Sequence, residues 1–182
     1  MKKDNTAPVG ARRQGVARTV CAIGIMAATI ECGKLALYFL PNVEVVTLLI
    51  AVFSFVFGWM GIVAAFIFVI AEVVIWGVGS WVLLYFIYWP LVGLVFALFG
   101  RARISNRWIL TLVAVLLTFL FGILSSLIDI AVFSGSFDRF FYRFAIYYGR
   151  GVWFYVTQIA CNAVLFPTMM PLLVRTARRL KK

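Results

Sequence analysis

The chain has 182 residues, of which 65% are hydrophobic and 13% charged, and its mean hydropathy is +1.07. Soluble domains have about half of their residues apolar and about a quarter charged, so this composition excludes an ordinary soluble domain and indicates an integral membrane protein. Because a spanning helix takes roughly 20 apolar residues, the length allows about six spans and no separate soluble catalytic domain.

Basic residues are concentrated in three places. Seventeen lysines and arginines stand against six acidic residues, which gives a formal net charge of +11. The clusters precede the first apolar run, fill the loop at residues 101–107 and form the C-terminal tail. Such clusters mark the cytoplasmic side of a membrane protein, so we expect them to set topology rather than to bind nucleic acid. Binding of anionic membrane lipid or of a partner is their alternative use.

Apolar runs between polar residues predict six transmembrane helices, at residues 20–40, 45–57, 61–78, 81–99, 108–131 and 152–174. The second run is short, and one continuous helix over residues 45–78 is the competing interpretation. The N-terminal basic cluster and the loop at residues 101–107 can both be cytoplasmic only if an even number of spans separates them. The intervening residues fit four spans, and the two apolar runs after the loop bring the total to six. The predicted fold is therefore an all-α six-helix bundle at residues 20–174, with cytoplasmic basic segments at residues 1–19 and 175–182.

The first helix carries small residues three or four positions apart, namely Ala17, Cys21, Gly24 and Ala28. Such pairs permit close approach of another helix, either within the chain or from another subunit. Further along, Glu31 and Lys34 lie three residues apart on one face. We expect them to neutralise each other, or Lys34 to extend toward the headgroups.

Polar and aromatic side chains are grouped around the turns after the first and third spans. Asn42 and Glu44 follow the first span, where they either face a pocket or stabilise the start of the second helix. Glu72 and Trp76 lie one helical turn apart and can bind a cationic or hydrogen-bonding ring. An aromatic stripe follows at Trp81, Tyr85 and Trp89. A carboxylate inside a bilayer is costly unless it is paired or faces a wet cavity, so these residues are candidates for a ligand site.

The last span carries Gln158 and Asn162 on one face, where they hold helices together or contact a ligand. The preceding segment, residues 132–151, is rich in aromatics and arginines, which predicts an amphipathic surface helix or lid. Three prolines predict kinks in the fourth and sixth helices, namely Pro90, Pro167 and Pro171.

The sequence offers no motif for catalysis. It contains no histidine, and its three cysteines, Cys21, Cys32 and Cys161, lie inside apolar stretches. No phosphate-binding loop, serine nucleophile elbow or zinc-protease motif is present. We therefore expect neither enzymatic activity nor a metal or other cofactor, and we expect that the chain cannot hydrolyse ATP by itself.

Four stretches, PNVEVVTLL, FGW, AEVVIWGVGSW and GVWFYVTQIACN, resemble the substrate-binding S component of energy-coupling factor (ECF) transporters. These are six-helix proteins of the bacterial plasma membrane that capture vitamins. The resemblance covers nearly the whole chain, although Tyr155 and Gln158 stand where similar members often have an aspartate and a histidine. It implies docking of the first helix to a membrane scaffold (T) subunit, powered by two ATPase subunits.

The resemblance implies a vitamin-like small-molecule substrate bound by nine candidate pocket residues, Asn42, Glu44, Glu72, Trp76, Trp81, Tyr85, Trp89, Gln158 and Asn162. The residues implied for docking to the scaffold subunit are Ala17, Cys21, Gly24 and Ala28. A membrane scaffold or assembly factor without a small ligand is the main alternative, and a small membrane enzyme is a weaker one.

Overall fold

A computed structural model describes residues 9–40, 43–134 and 138–180, which are almost entirely helical. The helices are α1 (Val9–Ala36), α2 (Val46–Phe57), α3 (Trp59–Trp76), α4 (Trp81–Arg101), α5 (Arg107–Ile128) and α6 (Phe140–Leu180). A π-helical turn, Asp129–Ser134, continues α5. The predicted all-α class is confirmed for this part of the chain.

Five of the described helices, α1 and α3 to α6, are long and apolar enough to cross a membrane. The chain is therefore a multi-pass membrane protein. The remaining helix, α2, is apolar but has only 12 residues. At 1.5 Å per residue it is about 18 Å long, which is shorter than the hydrocarbon core of about 30 Å. The six-span count thus stays a prediction, because α2 does not cross the core by itself.

A continuous helix over residues 45–78 does not form, because the chain reverses at Gly58. Gly58 has φ +63°, in the left-handed region that glycine adopts without a steric penalty. Its N–H closes α2 by donating to Ser54 O at 2.8 Å. The next residue, Trp59, starts α3, so the two helices form a tight hairpin.

The short helix α2 is the centre of the bundle. It packs against α1, α3, α4 and α6, and nine of its 12 residues are buried. Glycines on the neighbouring helices allow this close packing. A methyl group at Gly61 would overlap the backbone of Ser54, and one at Gly100 would overlap the carbonyl of Phe55.

The predicted surface helix at residues 132–151 is not a separate element. From Phe140 onward this segment is the first part of α6, which continues to Leu180. With 41 residues, α6 is about 60 Å long, roughly twice the thickness of the hydrocarbon core. Both α4 and α6 remain continuous through their prolines, Pro90, Pro167 and Pro171.

We expect Gly61→Ala to lower the free energy of unfolding by about 1 to 3 kcal/mol, because the added methyl group forces the backbones of α2 and α3 apart. Gly24→Ala is the matched control, since a Cβ at Gly24 meets no atom within 4 Å. Unfolding in mixed detergent micelles, followed by tryptophan fluorescence, measures both variants. Equal stability of the two variants would contradict the close approach of α2 and α3.

Candidate ligand site

A cavity of about 190 Å³ lies where α1 ends and α2 begins. Side chains from α1, α2, α3, α4 and α6, and from the connection between α1 and α2, line it. Three of the sequence-predicted residues besides Glu44 are in or beside its wall, namely Tyr85, Trp89 and Gln158. The other lining residues are Lys34, Leu37, Tyr38, Leu40, Val43, Val46, Phe68 and Phe154.

Glu44 contributes its carboxylate to both the cavity wall and the start of α2. The backbone N–H of Thr47 donates to Glu44 Oε2 at 3.1 Å, and the Thr47 hydroxyl donates to Glu44 Oε1 at 2.7 Å. A carboxylate here satisfies a free N–H of the first helical turn and interacts favourably with the positive end of the helix. Stabilisation of the helix start and a place in the cavity wall are therefore combined in one residue. Asn42, predicted beside it, lies outside the described residues.

Hydrogen bonds attach the start of α2 to the middle of α5 and α6. Asn162 Nδ2 donates to Thr118 Oγ1 at 3.0 Å and to Glu44 Oε1 at 3.4 Å. The Cys161 thiol donates to the Glu44 carbonyl at 3.3 Å. Since Thr118 and Asn162 lie near the centres of their spans, the connection before α2 enters the bundle interior. This explains why α2 is too short to cross the membrane.

The ion pair that forms is not the predicted one between Glu31 and Lys34. Lys34 Nζ instead pairs with a carboxylate oxygen of Glu72, which joins α1 to α3. Glu72 is 2% exposed, whereas Lys34 is 28% exposed and borders the cavity. Glu31 is also buried and its carboxyl group lies beside Glu72. Two carboxyl groups therefore lie close together at this place, and Lys34 pairs with one of them.

The aromatic side of the cavity is built on α4. Trp89 is buried and packs edge-on against Phe68 at 6.0 Å and against Tyr85 at 5.6 Å between ring centroids. Trp89 Nε1 and Asn162 Oδ1 are buried, and neither has a hydrogen-bond partner among the described residues. A buried polar atom without a partner is unfavourable, so Trp89, which lines the cavity, has a donor available to a guest molecule or to water. Asn162 is fully buried and does not line the cavity.

Trp76 and Trp81 do not line the cavity. Trp76 is 46% exposed and stacks on Tyr38 at 5.6 Å with the ring planes 12° apart. Lys34 Nζ lies 5.6 Å from the centre of the same indole ring. Trp76 therefore fixes the end of α1 against α3. Trp81 packs edge-on against Tyr85 at 4.9 Å and supports that ring from behind.

Eight of the lining residues are not among the predicted site residues, namely Lys34, Leu37, Tyr38, Leu40, Val43, Val46, Phe68 and Phe154. Lys34 stands out in the sequence as an intramembrane charge, but its spacing indicates only Glu31 or the headgroup region as its partner, whereas it pairs with Glu72. The others carry no signal, because an apolar side chain facing a cavity and one facing lipid look alike in sequence.

The small face of α1 is not used for packing inside the bundle. Ala17, Cys21, Gly24 and Ala28 are all exposed, while the opposite face buries Ile23, Met26 and Ile30. Helix α1 thus presents small residues on its exposed side, among larger exposed side chains such as Val20 and Ile25.

No known protein family, no curated protein and no solved structure matches the chain significantly.

We expect Lys34→Met to lower stability by roughly 1 to 3 kcal/mol, because it leaves two neighbouring buried carboxyl groups without a cation. Adding Glu72→Gln to Lys34→Met removes one of these charges and should recover part of the loss. Unfolding of both single variants and the double variant gives the coupling free energy. Arg179→Met, at an exposed arginine, is the control. Simple additivity of the two single effects would contradict the ion pair.

Proposed function

We propose that the chain is the substrate-binding subunit of an ECF-type importer, which captures a vitamin-like small molecule from outside a bacterial cell. The observation that supports this best is the cavity between α1, α2, α3, α4 and α6. It combines aromatic rings with a few polar groups, which is the usual composition of small-molecule sites. In this proposal both termini are cytoplasmic, and the connection before α2 completes the sixth crossing.

The charges around the cavity favour a cationic guest with a flat ring. Glu44 lines the cavity, and Lys34, which also lines it, pairs with Glu72, beside which the carboxyl group of Glu31 lies. In the described part of the chain these three carboxyl groups outnumber the one amine at this end of the bundle. A positive group on the ligand restores the balance of charge. Tyr85 and Trp89 present ring faces and edges to such a group, and a cation over an aromatic face is attracted by it.

The size of the cavity limits the guest. Small-molecule pockets usually measure about 300 to 1,000 Å³, whereas this one measures about 190 Å³. Leu37, Tyr38 and Leu40, which follow α1, line one part of it. In this proposal a guest larger than the present volume displaces these residues outward, so they open for entry and close over the ligand.

Release into the cell requires energy from other subunits. In the proposal the exposed small face of α1 docks onto a membrane scaffold (T) subunit, and two ATPase subunits drive the change that frees the ligand. Small residues allow the backbones of two membrane helices to approach closely. The proposed role therefore includes no covalent chemistry by this chain.

An assembly factor without a small ligand is the second candidate function. It is favoured by the hydrogen bonds that several polar groups make with one another, such as Asn162 with Thr118 and Glu44. In such a protein these bonds serve only to hold helices together, and the small face of α1 binds a client protein. Ligand binding separates the two functions.

A panel of vitamins with cationic, neutral and anionic members should contain one that raises the thermal stability of the purified protein. At a hundredfold excess over its dissociation constant, a ligand adds about 2.7 kcal/mol. Gln158→Met should weaken this ligand roughly threefold to tenfold by removing one hydrogen bond. Thr157→Val, next to it but outside the cavity wall, should not. Stabilisation by no member of the panel would favour the assembly factor.

Gly24→Leu should leave ligand binding intact and abolish uptake, because a bulky side chain blocks close approach of another helix to α1. Ala163→Leu places the same side chain at an exposed position on α6 and should leave uptake unchanged. Uptake of labelled ligand by cells, compared with binding by the purified variants, separates the two steps. Normal uptake by the Gly24 variant would remove α1 as the docking helix.

A further inference from the structure

Two further cavities lie at the other end of α2, near the turn between α4 and α5 and near the C-terminal end of α6. The cavities measure about 220 and 490 Å³ and adjoin each other, since Phe55, Ser105 and Arg178 line both. They share no lining residue with the candidate ligand site. We call this region the basic cavity.

Four arginines from separate parts of the chain line the basic cavity. Arg103 belongs to the turn after α4, Arg107 starts α5, and Arg175 and Arg178 lie near the end of α6. None of the carboxylates in the described part of the chain lines either cavity or pairs with one of these arginines. Four positive charges thus surround the basic cavity, and no carboxylate of the described residues neutralises them.

Two of these four arginines lie close to aromatic rings. Arg178 Cζ lies 5.7 Å from the centre of the Phe55 ring, and Arg107 Cζ lies 5.1 Å from that of Trp108. The side chain of Asn106 accepts from the Trp108 N–H at 2.9 Å and caps the start of α5. The positive end of the α5 dipole therefore adds to the field of the arginines, and Ser105 supplies a hydroxyl donor.

We propose that the basic cavity binds a phosphate group, carried either by the headgroup of an anionic phospholipid or by a soluble phosphate. Guanidinium groups bind phosphate oxygens through paired, charge-assisted hydrogen bonds. The remaining wall of the smaller cavity is apolar and includes Leu110, Phe166, Met170 and Val174. This wall suits the glycerol and upper acyl carbons of a lipid.

Membrane topology alone does not account for this convergence. To set orientation, basic residues need only lie on one side of the membrane. Arg101 and Arg179 meet that requirement and are exposed, yet they line neither cavity. Some arginines at this end of the bundle therefore line the basic cavity and others do not. Substitutions in the two groups can be compared directly, because they remove the same charge.

The test uses the full chain in neutral detergent and counts bound lipid by native mass spectrometry during titration with phosphatidylglycerol. Phosphatidylcholine, which carries no net charge, is the comparison lipid. Arg107→Gln combined with Arg178→Gln should weaken binding of phosphatidylglycerol about tenfold or more, because two charged hydrogen-bond donors are lost. Arg101→Gln combined with Arg179→Gln removes the same charge and should change binding less than about twofold. Circular dichroism checks that both double variants keep their helical content.

Inorganic phosphate at millimolar concentration distinguishes the two sources of the phosphate group. Competition with phosphatidylglycerol would support the site and assign it to a soluble phosphate, whereas retention of the lipid at all phosphate concentrations would assign it to the headgroup. Equal losses in the two double variants would overturn the proposal, because binding would then follow the overall surface charge. Equal binding of phosphatidylcholine and phosphatidylglycerol would overturn it as well.

Discussion

Carboxyl groups inside an apolar bundle are unfavourable unless charges or hydrogen bonds compensate them, and this constraint organises one end of the molecule. Lys34 compensates Glu72 and thereby joins α1 to α3. Glu44 is compensated by the start of α2 and by Asn162 of α6. The two sets of contacts draw α1, α2, α3 and α6 around a common space. Glu31 lies beside Glu72, and among the described residues its carboxyl oxygens have no hydrogen-bond partner, so the compensation is incomplete there.

The short helix α2 links the two ends of the bundle. Its first turn is bonded to Glu44 beside the candidate ligand site, and its last turn contributes Phe55 to the basic cavity. Glycines on α3 and α4 hold it so closely that a methyl group at Gly61 or Gly100 would overlap its backbone. In the proposed transport function, it is the element through which opening of the outer cavity affects the cytoplasmic surface.

The two cavities differ in charge in the way that their proposed ligands require. Carboxyl groups and aromatic rings surround the candidate ligand site, whereas arginines and a helix N-terminus surround the basic cavity. In the two proposals, a cation is favoured at one end and a phosphate at the other. The exposed small face of α1 is a third surface, separate from both. If the proposals hold, this chain of 182 residues has distinct regions for a small guest, a phosphate group and a partner helix.

Local pattern by itself determined the helical class, the membrane environment and most helix positions, because apolar runs of spanning length leave few other folds possible. It also identified Glu44, Tyr85, Trp89 and Gln158 as candidates, since polar or aromatic groups at such depth are unusual. Tertiary structure alone decided which charges pair: Lys34 meets Glu72 on another helix rather than Glu31 on its own. It likewise decided that Trp76 lies outside the cavity and that residues 140–151 continue α6. Which side chains meet depends on the rotation of neighbouring helices about their axes and on the depth of the connecting turns in the bundle. The periodicity of a single segment gives neither quantity.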